Sequence, residues 1–271
     1  MAIDFEITSA ANPEIKSIRA LNTKKGRTEQ GAFLSEGLRH VIEAARVGWV
    51  IRRLVISKAA RQGPLLEEAR RACVESGGRV LVVPPALMER IAKRDNAQSV
   101  IAVIEQRRRA LDDIPGNGAE VYLVLEEARD PGNLGSILRT ADAFGISGVV
   151  LVGACCDPFS VEAVRASMGS VVNVPLTEID RDGFLAWHAG WRGATVGTHL
   201  KGTALPGLRD LKGGVLILMG NEQAGLSAPL SDICETLVRI PMRAGSDSLN
   251  LAAATAIMAY EATAAGFAEP Q

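Results

Sequence analysis

The sequence predicts an α/β protein of two domains, the second built on an open, mostly parallel sheet. Three observations point there. The 271 residues exceed one average domain. The stretch Leu111 to Glu120 crowds Asp112, Asp113, Pro115, Gly116, Asn117 and Gly118 together with no apolar period, which marks a linker between residues 1–110 and 121–271. On both sides of it, short apolar runs alternate with helical patterns.

In the first domain, Arg53 to Ile56, Arg79 to Val83 and Val100 to Ile104 read as strands rich in Val, Ile and Leu. Gly37 to Ala45 and Pro85 to Ala92 read as helices. So does Leu65 to Val74, with Leu65, Leu66, Ala69, Ala72 and Cys73 on one face. In the second domain the strands are Val121–Leu125, Gly148–Val152, Ala194–Gly197, Val215–Met219 and Leu237–Ile240, apolar on both faces as parallel strands covered by helices require. Helices are expected at Asn133–Phe144, Ser160–Met168, Arg181–Ala189 and, Ala-rich, Ser248–Ala265.

Composition sets the class. No apolar run approaches the roughly 20 residues of a membrane span. Met1 to Ala10 carries Asp4 and Glu6 and no basic segment, so no secretory signal is expected. Cys73, Cys155, Cys156 and Cys234 form no C-x-x-C pair and are expected as thiols in a reducing cytoplasm. His40, His188 and His199 are scattered, and no metal site is expected. The net charge of −1 hides a split: residues 1–110 hold 20 basic and 12 acidic residues, residues 111–271 hold 10 and 19. The first part is therefore expected to meet a polyanion.

Chemistry concentrates in three loops at strand carboxyl ends, where ligands of open α/β sheets bind. The first runs from Glu126 through Asp130-Pro131-Gly132 into a helix with Asn133 as expected N-cap. There Leu134, Ile137, Leu138, Ala141 and Phe144 form the buried stripe, and Asn133, Ser136 and Arg139 form a slanting polar row. Asn133 as a mere cap and Arg139 as a solvated charge is the alternative. The second loop, Gly220-Asn221-Glu222 to Gly225-Leu226-Ser227, places an acidic acceptor at a strand end and lets a ligand approach backbone at Gly220. The third, Ile240-Pro241-Met242 to Ser248-Leu249-Asn250, sets polar side chains at uncapped helix amides. No G-x-G-x-x-G, Walker or G-x-S-x-G pattern occurs, which counts against nicotinamide chemistry and ATP hydrolysis.

In this order the loops closely resemble the three motifs of the SpoU (TrmH-like) branch of the SPOUT RNA methyltransferases. Asp130 to Gly135 with Arg139-Thr140-Ala141 resembles the first, Gly220-Asn221-Glu222 with Gly225-Leu226-Ser227 the second, and Ile240-Pro241-Met242 with Ser248-Leu249-Asn250 the third. Ile7-Thr8-Ser9, Asn12-Pro13, Ile15-Lys16 and Gly31 to Gly37 are similar, more loosely, to the family's N-terminal substrate-binding domain of L30e-like fold.

The resemblance implies a C-terminal catalytic domain with a trefoil knot, a homodimer through it, and transfer of a methyl group from S-adenosylmethionine to a ribose 2′-hydroxyl of RNA. By its fuller substrate domain the chain is similar to rRNA members more than to compact tRNA members. The donor is expected at Gly220, Ile240 and Leu249, with Met242 and Thr198 beside them. Arg139, Asn133, Glu222, Ser248 and Asn250 are the implied catalytic set. Two roles stay open for Arg139: steering the hydroxyl through an adjacent phosphate, or accepting its proton, which an ordinary guanidinium does not do. Lys16, Lys24, Lys25, Arg27 and Arg39 are the expected RNA contacts. A non-catalytic RNA-binding protein and a nucleotide-dependent oxidoreductase are the competing readings.

Overall fold

The computed structural model describes residues 4–115, 120–204, 208, 211, 213–243 and 248–263. Two compact units emerge. One joins Met1–Arg107 to Asp157–Asn173; the other joins Arg108–Cys156 to Val174–Gln271. The first unit thus takes in a segment from the middle of the chain that a division at the linker leaves in the second.

The first unit carries a five-stranded mixed sheet. Its strands are β1 (Asp4–Glu6), β2 (Ala32–Glu36), β3 (Ile51–Ser57), β4 (Arg79–Val83) and β5 (Val100–Glu105), in the order β1-β4-β3-β5-β2. β4 is parallel to β1 and β3, and β5 is antiparallel to β3 and β2. One core buries Ile15, Ile18, Leu34, Val55, Leu81, Leu87 and Ile101. These residues come from the sheet and from helices α1 (Pro13–Ala20) and α5 (Pro85–Ala92). Sequence reading missed α1, α2 (Lys24–Gln30), β1 and β2. In α4 (Pro64–Glu75), Leu66, Ala69 and Cys73 are buried as expected, but Leu65 is exposed.

The middle segment is held by residues of the N-terminal region. Phe159 packs its ring 4.9 Å from Phe33 and 6.3 Å from Trp49. Trp49 Nε1 donates to the Val172 carbonyl at 2.9 Å. Arg27 is buried, donating from Nε to Asp157 Oδ2 at 2.7 Å and from a terminal nitrogen to the Leu21 carbonyl at 2.9 Å. That corrects one expectation: Arg27 is an internal anchor whose guanidinium is already engaged and shielded, not a surface contact for RNA. Lys16, Lys24, Lys25 and Arg39 are exposed.

The second unit is a six-stranded sheet, every neighbouring pair parallel. Its strands are β6 (Val121–Glu126), β7 (Gly148–Val152), β8 (Leu176–Ile179), β9 (Ala194–Ala204), β10 (Val215–Met219) and β11 (Thr236–Arg239), in the order β11-β9-β10-β6-β7-β8. From central β6 the chain winds outward through β7 and β8, then restarts on the other side. β6 and β10 are therefore the neighbours where winding reverses, and their carboxyl ends diverge into a crevice. Helix α6 (Pro131–Ala143) follows β6, and Leu134, Ile137, Leu138 and Ala141 on it are fully buried. Helix α10 (Leu251–Thr263) packs on α6, where Phe144 and Tyr260 meet edge-on at 6.0 Å. α10 starts later than Ser248, and Ala264 and Ala265 of the expected helix lie outside the described residues, as do Gly116 to Ala119 of the expected linker. No described helix is long and apolar enough to cross a membrane.

Candidate functional site

The loop after β6 is built by capping. Pro131 stands at the first helical position, where its missing N–H costs nothing. Asp130, directly before it, accepts the Asn133 amide at 2.6 Å. Asp130 is therefore the N-cap, and the expectation that Asn133 caps the helix is corrected. Freed from capping, the Asn133 carboxamide donates from Nδ2 to Glu222 Oε1 at 3.0 Å. Ser136 returns its hydroxyl to the Gly132 carbonyl at 2.9 Å. Arg139 is exposed, one further step along the polar row, with no ion pair to another described residue.

The loop after β10 closes on itself. Asn221 and Gly225 exchange backbone hydrogen bonds at 3.2 and 2.8 Å, and Asn221 Oδ1 accepts the Gln223 and Ala224 amides. Asn221 Nδ2 donates to the Glu127 carbonyl at 2.9 Å, tying this turn to the end of β6. Gly220 is forced: a Cβ there would stand 2.1 Å from both the Gly225 carbonyl carbon and the Leu226 nitrogen. Beneath the loops Glu126, only 3% exposed, accepts Arg181 Nε at 2.9 Å and the Ser227 amide and hydroxyl at 2.8 and 2.6 Å. Sequence reading missed Glu126 and the role of Asn221. A carboxylate ending an apolar strand, seven residues before the polar row that begins at Asn133, was the available signal for Glu126.

Between the second and third loops lies a cleft of about 260 Å³. Thr198, Gly220, Ile240, Met242 and Leu249 line it, together with Glu222 and Ser248. Met219, Val238, Leu251 and Ala254 make its walls apolar. Ile240 to Arg243 and Ser248 to Asn250 belong to no helix or strand, although the Asn250 carbonyl accepts the Ala254 amide at 3.0 Å. Apolar walls edged by irregular backbone suit the nearly neutral purine and ribose of S-adenosylmethionine. Asn250 lies at the start of α10, where its Oδ1 accepts the Ala253 amide at 2.7 Å. It caps the helix through that oxygen. Among the described residues no cluster of three or more His, Cys, Asp or Glu side chains is placed to hold a metal.

Comparison with known proteins gives the chain its chemistry. The chain superposes on the AdoMet-bound rRNA methyltransferase of Sinorhizobium meliloti with a TM-score of 0.90 at 43% identity, covering 98% of this chain and 99% of that one. On the AdoMet complex of the SpoU methyltransferase AviRb from Streptomyces viridochromogenes the TM-score is 0.80 at 29% identity, over 94% and 99%. The 23S rRNA (uridine(2479)-2′-O)-methyltransferase of Streptomyces viridochromogenes is 33% identical over 89% of this chain and 86% of its own length. Fold and relatives thus define an S-adenosylmethionine-dependent RNA 2′-O-methyltransferase. The chain belongs to the SpoU rRNA methylase family, whose model matches residues 120–260, and the MRM3-like substrate binding domain matches residues 12–102.

Proposed function

We propose that this protein methylates one ribose 2′-hydroxyl of 23S rRNA, docking the RNA through residues 1–110. The observation that carries the reading is the Asn133–Glu222 hydrogen bond, which joins the polar row of α6 to the rim of the donor cleft. The target class is supported by relatives named for 23S rRNA, including the guanosine(2553)-2′-O-methyltransferase RlmP of Bacillus subtilis, 27% identical over 94% of this chain and 98% of its own. The basic excess of residues 1–110 supports the docking role.

In this reading Gly220, Ile240, Met242 and Leu249 hold the donor's adenosine part through backbone and apolar contact, with Thr198 at the same wall. The donor supplies an activated methyl group: the new O–C bond forms as the C–S bond breaks, and one proton leaves the hydroxyl. The protein's task is alignment. Glu222 holds Asn133, and the two orient the ribose. Arg139, exposed on the same helix, steers the hydroxyl by holding an adjacent phosphate, and the proton passes to solvent. Its exposure favours this role over that of proton acceptor. Ser248 and the Asn250 carboxamide complete the substrate side.

The same reading includes a cytoplasmic homodimer paired through the second unit. α10 is mostly Ala and other apolar residues, yet Ala253 and Tyr260 are exposed, which supports a packing face for a second copy. A strand order that inserts β10 between β6 and β9 is compatible with the trefoil knot. Mapping ribose methylation across total RNA from cells with and without the gene tests the target. One 23S position losing its methyl group is expected; an unchanged rRNA map with a lost tRNA position contradicts it.

A further inference from the structure

A second cavity, of about 450 Å³, lies wholly within the first unit. It is lined by β2, by the start of α3 (Leu38–Arg46), by the loop before β5 and by α7 (Val161–Ala166) with Met168. Glu36 lines it while only 8% exposed. Glu36 Oε1 accepts Arg165 Nε at 3.0 Å, and Arg94 Nε stands 3.4 Å from Oε2. Neither Glu36 Oε2 nor Arg94 Nε makes a hydrogen bond, although both atoms are buried. Buried polar atoms left in this state cost free energy unless a ligand meets them.

The surroundings specify that ligand. Arg39, Arg94 and Arg165 face the cavity against the single carboxylate of Glu36, so positive charge is in excess. Gly37 begins α3 with no side-chain cap, and Leu38, Arg39 and His40 of its first turn line the cavity. Uncapped helix amides beside guanidinium groups make a phosphate site. Glu36 Oε2 is an acceptor for an N–H on a base edge. Met168, 60% exposed, offers an apolar face to a base.

We propose that this cavity takes one nucleotide of single-stranded RNA, its phosphate on the arginines and the α3 amides and its base edge on Glu36. The inference rests on the reading that the first unit docks RNA, and it names the place. Recognition of unstacked bases in pockets is how proteins read single-stranded RNA.

The test uses the full chain and a fluorescein-labelled 12-nucleotide single-stranded RNA, with salt titrations. Arg39→Glu is expected to weaken binding by at least about 10-fold and to lower the salt slope by about one. S-adenosylhomocysteine affinity stays unchanged. Met168→Ala, an exposed substitution that leaves the ion pairs intact, should weaken binding about threefold or more through lost stacking. The same RNA carrying 4-thiouridine should cross-link to residues 36–40 or 161–168. Native affinity and slope in both variants, with cross-links elsewhere, overturn the pocket while leaving RNA docking standing. No RNA binding by the unaltered protein overturns both. Millimolar GMP displacing the RNA supports the pocket, whereas tight GMP binding unaffected by Arg39→Glu contradicts it.

Discussion

Asn133 on α6 donates its carboxamide to Glu222 beyond β10 at 3.0 Å, across 89 residues of sequence. Two groups so joined act as a unit, and their removal is non-additive. Asn133→Ala and Glu222→Ala should each slow methyl transfer by about 10²-fold, and the double variant should be little worse, a coupling of about 2–3 kcal/mol. Stability should change by only about 0.5–1 kcal/mol, since Glu222 is exposed and Asn133 half-buried. Single-turnover rates for the four proteins of the cycle check this; strict additivity contradicts it.

Gly220 is where backbone meets backbone. Gly220→Ala must push the Gly225–Leu226 peptide away, because the new Cβ would stand at 2.1 Å. Loosening that turn should lower S-adenosylhomocysteine affinity by about 10-fold or more and cost about 1–3 kcal/mol of stability. Calorimetry and urea titration measure both. Native affinity in this variant would remove the turn from the donor site.

The first unit's claim on residues 157–173 bears on truncation. A fragment spanning residues 108–271 leaves Phe159 without Phe33 and Trp49, and Asp157 without Arg27. Uncovering one buried Phe alone costs about 2–3 kcal/mol of hydrophobic burial. The fragment should therefore bind more hydrophobic dye than its counterpart with Phe159→Ser, and should melt earlier than the full chain. A fragment with native melting and no dye binding contradicts the shared packing.

Arg139 lies on the polar row, clear of the buried stripe. Arg139→Ala and Arg139→Lys should each slow transfer by at least about 10²-fold. An ammonium does not reproduce the planar fork on a phosphate. Melting temperature and donor affinity should stay near native. A lysine variant of near-native rate would reduce Arg139 to a simple charge.

Much of the second unit was legible because β6, β7 and β10 are buried on both faces, and apolar runs of that kind announce themselves. β8 was not: it is an edge strand of four residues with Thr177 and Glu178 in it. β2 was missed because it ends in the polar Ser35 and Glu36, and the Arg165 that pairs with buried Glu36 lies more than a hundred residues away. The cap was misassigned because Asp130 and Asn133 are both good caps. Pro131 was the deciding sign, since proline at the first helical position puts the cap just before it. Arg27 read as a surface charge because nothing local announces the Asp157 that buries it.

The most direct measurement is of the product. Purified protein is incubated with 23S rRNA lacking the modification and with S-adenosylmethionine bearing a deuterated methyl group, and the RNA is then digested to nucleosides for mass spectrometry. The account predicts label in one 2′-O-methylnucleoside, none in DNA of the same sequence, and almost none with Arg139→Ala. Label on a base, or equal labelling by the Arg139→Ala protein, would contradict it.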